Sequence, residues 1–450
     1  MTNIFSTRFD GPETLADIRR LVTVQPDPVT GLEELSPALA AERLLKVLKT
    51  IFLPNQFSLD FIKDCVDRAR SFSVENFATD QQYQHRLYHP PGDEAFPICL
   101  TGLAGVGKSQ TINALTKVMP GPAPYTSAHY HEPHTVVSYW YASAEGKAGG
   151  RQLLADFLGG DAVGVRANIS KLLMECRRRV NRDGVSLTML EEMQHHTTGQ
   201  GVAQVTDILL NMAKLGVPMI YVANYSLGHK LLTRNSEDKQ RLLSEPIVML
   251  PDAPGSKAWE EYVLECIRVS GGRLSADPVA LARELYRCTF GIKRLTAHLI
   301  KAAYLEARAA RRTTVSIEDV NKAYLSVSYS SNRRDVEDLF LINLQKCRPG
   351  FRPDLRCPFP VPVQSNVLNF TKEDRAARVS EKVFVAALTA EERKNFEELH
   401  PQGSASNPSS KPQREKRPAL PKQTREGLED AYSRLIDESK GSPKPRGPTK

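Results

Sequence analysis

The sequence has little cysteine and no cysteine pair. Its 450 residues include seven cysteines, and none of them falls in a Cys-x-x-Cys motif. This scattered spacing argues against both a disulfide scaffold and a zinc ribbon. We therefore expect reduced thiols in a cytoplasmic protein.

Long apolar runs are also absent. No run of about 18 apolar residues occurs, so we expect no membrane span. The first five residues lack a basic segment followed by an apolar one, so we expect no signal peptide. A hydrophobic fraction of 41% over this length suits about two or three domains with a sizeable core.

The excess of positive charge is concentrated at one end. The formal net charge is +8, and residues 403–450 contribute five of it. That segment has seven prolines and seven serines, and it contains neither tryptophan nor phenylalanine. This composition predicts a disordered basic tail. Within the tail, residues 425–438 have the spacing of a short amphipathic helix, which needs a partner surface to stay folded.

The rest of the chain divides by pattern into four parts. Residues 1–95 have helical apolar spacing, and residues 96–255 alternate short strands with helices. Residues 256–330 are helical almost throughout, and residues 331–402 form a C-terminal extension. Alternating strands and helices predict a mainly parallel sheet covered on both faces. The predicted fold class is therefore α/β, followed by a small helical lid domain.

The most specific motif spans residues 102–109. Gly102-Leu-Ala-Gly-Val-Gly-Lys-Ser109 matches the phosphate-loop pattern GxxxxGK[ST] at every position, between a predicted strand and a predicted helix. Such a loop turns its main-chain amides inward as an anion-binding nest, and the helix start adds a favourable dipole. We expect ATP to bind at Gly102, Gly105, Val106, Gly107, Lys108, Ser109 and Gln110. Lys108 is expected to reach the β and γ phosphates, and the Ser109 hydroxyl to bind Mg2+.

Two carboxylates follow an apolar strand further along the chain. Glu191 and Glu192 come directly after residues 185–190, as in a Walker B element. We expect Glu191 to hold magnesium, at a position where aspartate is usual. Glu192 is expected to orient or deprotonate the attacking water. The alternative is a solvated acidic pair at the end of a strand.

Polar and cationic residues are expected to complete the site. Asn224 follows the predicted strand 217–223 and is a candidate sensor of the γ phosphate. Arginine stabilises the charge of a phosphoryl-transfer transition state, and we favour Arg241 and Arg294 over Arg234 for this role. Judged singly, each of these arginines also fits a surface ion pair.

Basic residues in and near a predicted helix are candidate DNA contacts: Lys147, Arg151, Lys171, Arg178 and Arg182. They would contact phosphates without reading bases, which gives affinity that falls with salt. A solvated helix face is the alternative. The histidines at positions 129–134 and 195–196 lack matching cysteine or carboxylate spacing, so we expect no metal site other than magnesium.

Several of these segments together resemble an AAA+ ATPase and, more narrowly, the TnsC/TniB/MuB group of transposition regulators. They are residues 97–109, Leu190-Glu-Glu-Met-Gln194, Val222-Ala-Asn224 and Gln240-Arg-Leu-Leu-Ser-Glu-Pro246. The resemblance spans roughly residues 85–325. It implies an ATP-dependent ring or helical filament that marks a target site on duplex DNA, recruits or activates the transposase, and is reset by hydrolysis. The implied partners are duplex DNA, transposase subunits, a target-selecting protein and further copies of the chain.

Two alternatives stay open. The first is another AAA+ DNA-processing ATPase, such as a replication initiator or a helicase loader. A helix-turn-helix domain would favour an initiator, and the sequence of residues 331–402 gives no convincing sign of one. The second is a nucleotide-gated adaptor that binds ATP with little turnover, which the glutamate at position 191 keeps open.

Overall fold

The computed structural model describes nine segments of the chain. They are residues 4–90, 92, 94–126, 133–144, 149–159, 168–193, 201–345, 352–362 and 364–387. These residues belong to the first of two units, Met1–Ala387. The predicted basic tail and its helix at residues 425–438 lie outside the described residues, as does Lys147.

The described strands form one parallel sheet and one antiparallel pair. They are β1 (Ile98–Gly102), β2 (Ala123–Tyr125), β3 (His134–Val136), β4 (Tyr139–Ser143), β5 (Leu187–Glu191), β6 (Met219–Asn224) and β7 (Glu245–Met249). The five-stranded parallel sheet has the order β4-β5-β6-β1-β7, and β2 pairs with β3. Strands β1 and β5 are buried along their whole length, as strands covered on both faces are.

Helices surround the sheet and continue beyond it. Before β5 they are α1 (Ile4–Thr7), α2 (Leu15–Val22), α3 (Pro37–Leu48), α4 (Gln56–Phe77), α5 (Asp80–Tyr88), α6 (Lys108–Val118), α7 (Gly150–Phe157) and α8 (Ile169–Asp183). After β5 they are α9 (Val202–Ala213), α10 (Tyr225–Leu232), α11 (Ser236–Leu242), α12 (Lys257–Val269), α13 (Pro278–Thr289), α14 (Lys293–Ala309), α15 (Ile317–Leu325), α16 (Ser330–Gln345) and α17 (Ser365–Ala387). Among the described helices, none is both long and apolar enough to cross a bilayer.

Helix ends follow local sequence signals. Ser316 and Asp319 form a capping box at the start of α15. Proline occupies the first position of α3 and of α13, where its missing N–H costs no helical hydrogen bond. Gly184 ends α8 in the left-handed conformation.

Two of the hydrophobic cores contain residues from both sides of the predicted boundary at residue 95. Helix α3 packs into the core of the helical domain built from α12 to α15. Helices α2 and α4 instead pack with α6 on one face of the parallel sheet. Helices α7 to α10 cover the opposite face of that sheet. The N-terminal helices therefore complete both the sheet domain and the helical domain, and the domain limits themselves stay predictions.

The order of the strands places β6 between β1 and β5. The carboxyl ends of these three parallel strands meet at one edge of the sheet, and the helical domain follows β7 in the chain. A parallel sheet of this order, flanked by helices and followed by a helical domain, is the AAA+ fold that the sequence predicts.

Candidate nucleotide site

The loop between β1 and α6 depends on glycine at two positions. Gly105 and Gly107 have φ angles of 83° and 119°, a region that side-chain-bearing residues rarely adopt. A Cβ atom at Gly105 would also lie 2.7 Å from the Cβ of Arg294, so the close approach of α14 requires a glycine there. Helix α6 begins directly after Gly107, so its first main-chain amides face the loop.

Lys108 is buried at the start of α6 with 7% of its surface exposed. Its Nζ donates hydrogen bonds of 2.8 Å to the carbonyl oxygens of Gly102 and Leu103. Burial lowers the pKa of this amine to about 8, and Arg294 lowers it further, whereas Glu192 and Glu191 act in the opposite direction. The lysine therefore lies within electrostatic reach of an arginine on α14 and of both predicted acidic residues.

A cavity of about 610 Å³ opens beside Lys108. Its volume is in the range that holds a nucleotide-sized ligand. Eight residues that the motifs predict line this cavity: Gly105, Gly107, Lys108, Ser109, Gln110, Glu192, Asn224 and Arg294. Gly102 and Val106 do not line it. Gly102 packs against the carbonyl oxygen of Met249, and Val106 is buried in the core under the sheet.

The two predicted acidic residues lie in different environments. Glu192 lines the cavity and has a φ angle of 57°, which is uncommon for a residue other than glycine. Glu191 is only 4% exposed, and its Oε2 accepts a hydrogen bond of 2.7 Å from the Tyr141 hydroxyl. Oε1 of Glu191 has no hydrogen-bond partner among the described residues.

This arrangement fits a hydrated magnesium ion. Magnesium prefers oxygen ligands and keeps several of its waters when it binds a protein. The unpartnered Oε1 of Glu191 is such an acceptor. Ser109 provides a hydroxyl at the start of α6 and lines the cavity together with Glu192, whereas Glu191 itself does not line it. Buried polar atoms are otherwise nearly always hydrogen-bonded, so an unpartnered carboxylate oxygen indicates a place for an ion or its water.

Asn224 ends β6 beside the loop. The parallel register pairs it with Gly102, the last residue of β1. Its side chain lines the cavity, and the next residue begins α10. The strand order therefore brings a polar amide to the point between the loop and Glu192.

The helical domain closes the cavity from the other side. The main-chain N–H of Arg294 donates to the carbonyl oxygen of Gly105 over 3.3 Å. The neighbouring Lys293 makes an ion pair of 3.3 Å with buried Asp252, which also accepts a hydrogen bond of 2.7 Å from Asn55. These contacts join the start of α14, the segment after β7 and the residue that caps α4.

The other predicted arginines lie elsewhere. Arg241 pairs with Glu94 at 3.0 Å and with Glu237 at 3.8 Å, and it does not line the cavity. Arg234 pairs with Asp238 at 2.9 Å. The structure contains one copy of the chain, so it does not test whether either arginine reaches the site of a neighbouring copy. The arginine-finger assignment of Arg241 therefore stays a prediction.

The candidate DNA residues on and near α8 differ in their contacts. Arg151 and Lys171 are exposed. Arg178 is exposed and pairs loosely with Glu175 at 3.9 Å. Arg182 donates to Asp183 over 2.7 Å. Their role in DNA binding stays a prediction.

The motifs miss one wall of the cavity. Its residues are mostly apolar and come from distant segments: Leu48, Lys49, Ile51, Tyr262, Lys293 and Ala297. Gln110 connects this wall to the loop, since its side-chain amide donates to the carbonyl oxygen of Lys49 over 2.9 Å. No short motif marks these positions, because helical spacing indicates that a residue is buried and not which cavity it lines.

The protein is similar in structure, and not detectably in sequence, to known proteins. No family model and no curated protein matches the sequence. The Aeropyrum pernix ORC2 protein in its ADPNP and ADP complexes is 14% identical over 68% of this chain and 95% of its own, with a TM-score of 0.37. The Aeropyrum pernix ORC1 protein in complex with DNA is 15% identical over 65% of this chain and 74% of its own, with a TM-score of 0.36. The Thermotoga maritima RuvB Holliday junction branch migration motor is 12% identical over 60% of this chain and 74% of its own, with a TM-score of 0.31. At these values, the functions of those proteins are not transferred to this chain.

Proposed function

We propose that this chain is an ATPase that binds ATP with magnesium in the cavity beside Lys108. One observation carries the proposal: the phosphate-loop residues Gly105, Gly107, Lys108 and Ser109 line the same 610 Å³ cavity as a carboxylate, an amide and an arginine. These groups come from three parallel strands and the helical domain, and together they match the needs of phosphoryl transfer. An acidic pair at a strand end without such a loop would not support the same conclusion.

Each group has a distinct task in this proposal. The loop amides and Lys108 bind the phosphates, and Glu192 accepts a proton from the attacking water or orients it. Asn224 holds that water or the γ phosphate, and Arg294 stabilises the charge that develops on the transferred group. Magnesium, when bound, would neutralise charge on the phosphates, with Ser109 and the water contacts of Glu191 holding it.

The test measures phosphate release by the wild-type chain and by Glu192→Gln. We expect the variant to bind ATP with unchanged affinity and to release phosphate about 100-fold more slowly, because general base catalysis contributes at least this factor. Binding without turnover in the wild-type chain would support the alternative of a nucleotide-gated adaptor. Unchanged turnover in Glu192→Gln would remove this residue from its assigned task.

We further propose that the ATPase assembles on duplex DNA and regulates transposition. The support is the resemblance of residues 97–109, 190–194, 222–224 and 240–246 to the TnsC/TniB/MuB group. In this proposal ATP binding drives a ring or filament on DNA, which recruits or activates the transposase, and hydrolysis disassembles it. Another AAA+ DNA-processing ATPase, such as a replication initiator or helicase loader, is the alternative.

Electron microscopy of the protein with duplex DNA and a slowly hydrolysed ATP analogue tests this assembly. We expect regular rings or filaments that require both components. Binding that falls steeply with salt would support phosphate contacts by Arg151, Lys171 and Arg178. Monomers under all conditions would contradict assembly. A pull-down with the assembled form as bait would separate transposition from replication. Capture of transposase subunits and not of a helicase would support transposition.

A further inference from the structure

Tyr141 lies outside every segment that the sequence motifs assign to the site. Its hydroxyl donates a hydrogen bond of 2.7 Å to Oε2 of Glu191. Tyr141 belongs to β4 and Glu191 to the adjacent β5, where the parallel register pairs Ser143 with Glu191. The contact therefore joins two neighbouring strands at the edge of the sheet that the candidate site occupies.

The Tyr141 hydroxyl makes the two oxygens of the Glu191 carboxylate unequal. Oε2 accepts its hydrogen bond, whereas Oε1 has no partner among the described residues. The carboxylate is buried, so water does not freely satisfy the second oxygen. An unpartnered buried oxygen is unfavourable unless an ion or an ordered water binds it. Oε1 is therefore the oxygen that is expected to accept a hydrogen bond from an ordered water or to bind an ion.

The length of the glutamate side chain explains why such a contact is needed. Glutamate has one more rotatable bond than the aspartate usual at this position, so its carboxylate has more orientations to lose. A hydrogen bond to one oxygen fixes the direction of the other.

We infer that Tyr141 is a positioning residue that orients Oε1 of Glu191 toward the water shell of the nucleotide-bound magnesium. The inference rests on the proposed function, because it presupposes a magnesium–ATP complex in the cavity. Tyr141 contacts neither nucleotide nor metal in this assignment and acts through Glu191 alone. Strand β4 thereby takes part in the site, although no motif marks it.

The test follows the affinity for a fluorescent ATP analogue as a function of free Mg2+. Added Mg2+ should increase the affinity for the analogue, and the Mg2+ concentration that gives half of this increase is the measured quantity. In Tyr141→Phe we expect this concentration to rise about tenfold, because the variant loses a hydrogen bond to a charged group. Affinity in EDTA should equal that of the wild type, because Tyr141 does not contact the nucleotide. Tyr139→Phe is the matched control: Tyr139 lies two residues earlier on the same face of β4 and packs against the core. This control should leave the Mg2+ dependence unchanged.

Glu191→Asp provides the second arm of the experiment. Its shorter side chain withdraws the carboxylate from the Tyr141 hydroxyl, so adding Tyr141→Phe to this variant should shift the Mg2+ dependence by less than about twofold. Wild-type Mg2+ dependence in Tyr141→Phe would overturn the inference, and so would an equal shift in both backgrounds. Thermal unfolding of each variant checks the fold. If the wild-type chain binds no analogue at any Mg2+ concentration, the proposed function fails instead.

Discussion

The cavity has two walls of different origin. The sheet wall consists of these residues: Gly105, Gly107, Lys108, Ser109, Gln110, Glu192 and Asn224. The lid wall consists of residues from α3, the segment after it, α12 and α14: Leu48, Lys49, Ile51, Tyr262, Lys293, Arg294 and Ala297. The sheet wall is rich in glycines and polar or charged side chains, whereas most of the lid wall is apolar or supplies a positive charge.

This difference indicates how the work of the site is divided. The parallel strands β1, β5 and β6 end beside the cavity and so position the loop, Glu192 and Asn224 there. The lid wall lies on a second core. It contacts the loop through the hydrogen bonds of Arg294 to Gly105 and of Gln110 to Lys49. We therefore expect changes in the sheet wall to abolish binding or turnover, and changes in the lid wall to alter affinity by smaller factors.

Loss of the loop lysine has the largest expected effect. Lys108→Ala removes the charge that pairs with the phosphates, and we expect ATP affinity to fall by at least about 100-fold. Lys117→Ala is the matched control, because Lys117 is an exposed lysine near the end of the same helix. Calorimetric titration with ATP measures both. Equal ATP affinities in the two variants would contradict the assignment of Lys108 as a phosphate-binding residue.

Arg294 and Arg241 differ in whether their predicted role needs a second copy of the chain. Arg294 lines the cavity of its own chain, so Arg294→Ala should slow turnover by at least about tenfold at every protein concentration. Arg241 does not line the cavity of its own chain, so its predicted arginine-finger role requires a neighbouring copy, and Arg241→Ala should lose activity only where copies assemble. Mixing Arg241→Ala with Glu192→Gln chains should then restore part of the turnover, as measured by phosphate release. Absence of any restoration would contradict a role for Arg241 in trans.

The lid wall should show a smaller and more selective effect. Ile51→Val removes one methylene, and we expect ATP affinity to fall by about fourfold if the base packs against this wall. Affinity for inorganic triphosphate should stay the same, because that ligand has no base. Competition with the fluorescent analogue measures both ligands. An equal loss for the two would show that the lid wall does not bind the base.

The sequence predicts the two walls to unequal degrees. The complete phosphate motif marks the loop, and strand ends mark Glu192 and Asn224, because each is a local pattern of a few residues. Ile51 and Tyr262 are separated in the chain by more than the whole predicted sheet domain, and they meet through packing of α3 against the helical domain. Such tertiary contacts leave no local pattern. Arg294 is the exception on the lid wall, since its position at the start of a helix of the small domain predicts it.

Proton uptake on nucleotide binding is the smallest expected effect, and it follows from the lowered pKa of buried Lys108. Burial lowers the pKa of this amine to about 8, so near that pH about half of the free protein has a neutral lysine. Bound phosphate favours the charged form and raises this pKa, so binding at pH 8 should take up about half a proton and should weaken at higher pH. Calorimetry in two buffers of different ionisation enthalpy measures the uptake. Lys108→Arg, which stays charged, should show none, and equal uptake by this variant would contradict the assignment.

The most direct test is a crystal structure with magnesium and a non-hydrolysable ATP analogue. The two-wall account predicts the β and γ phosphates within hydrogen-bond distance of Lys108 and the loop amides, and the base between the loop and the lid wall. It also predicts a water near Glu192. An analogue that binds away from Lys108, or no bound nucleotide at saturating concentration, would contradict the account.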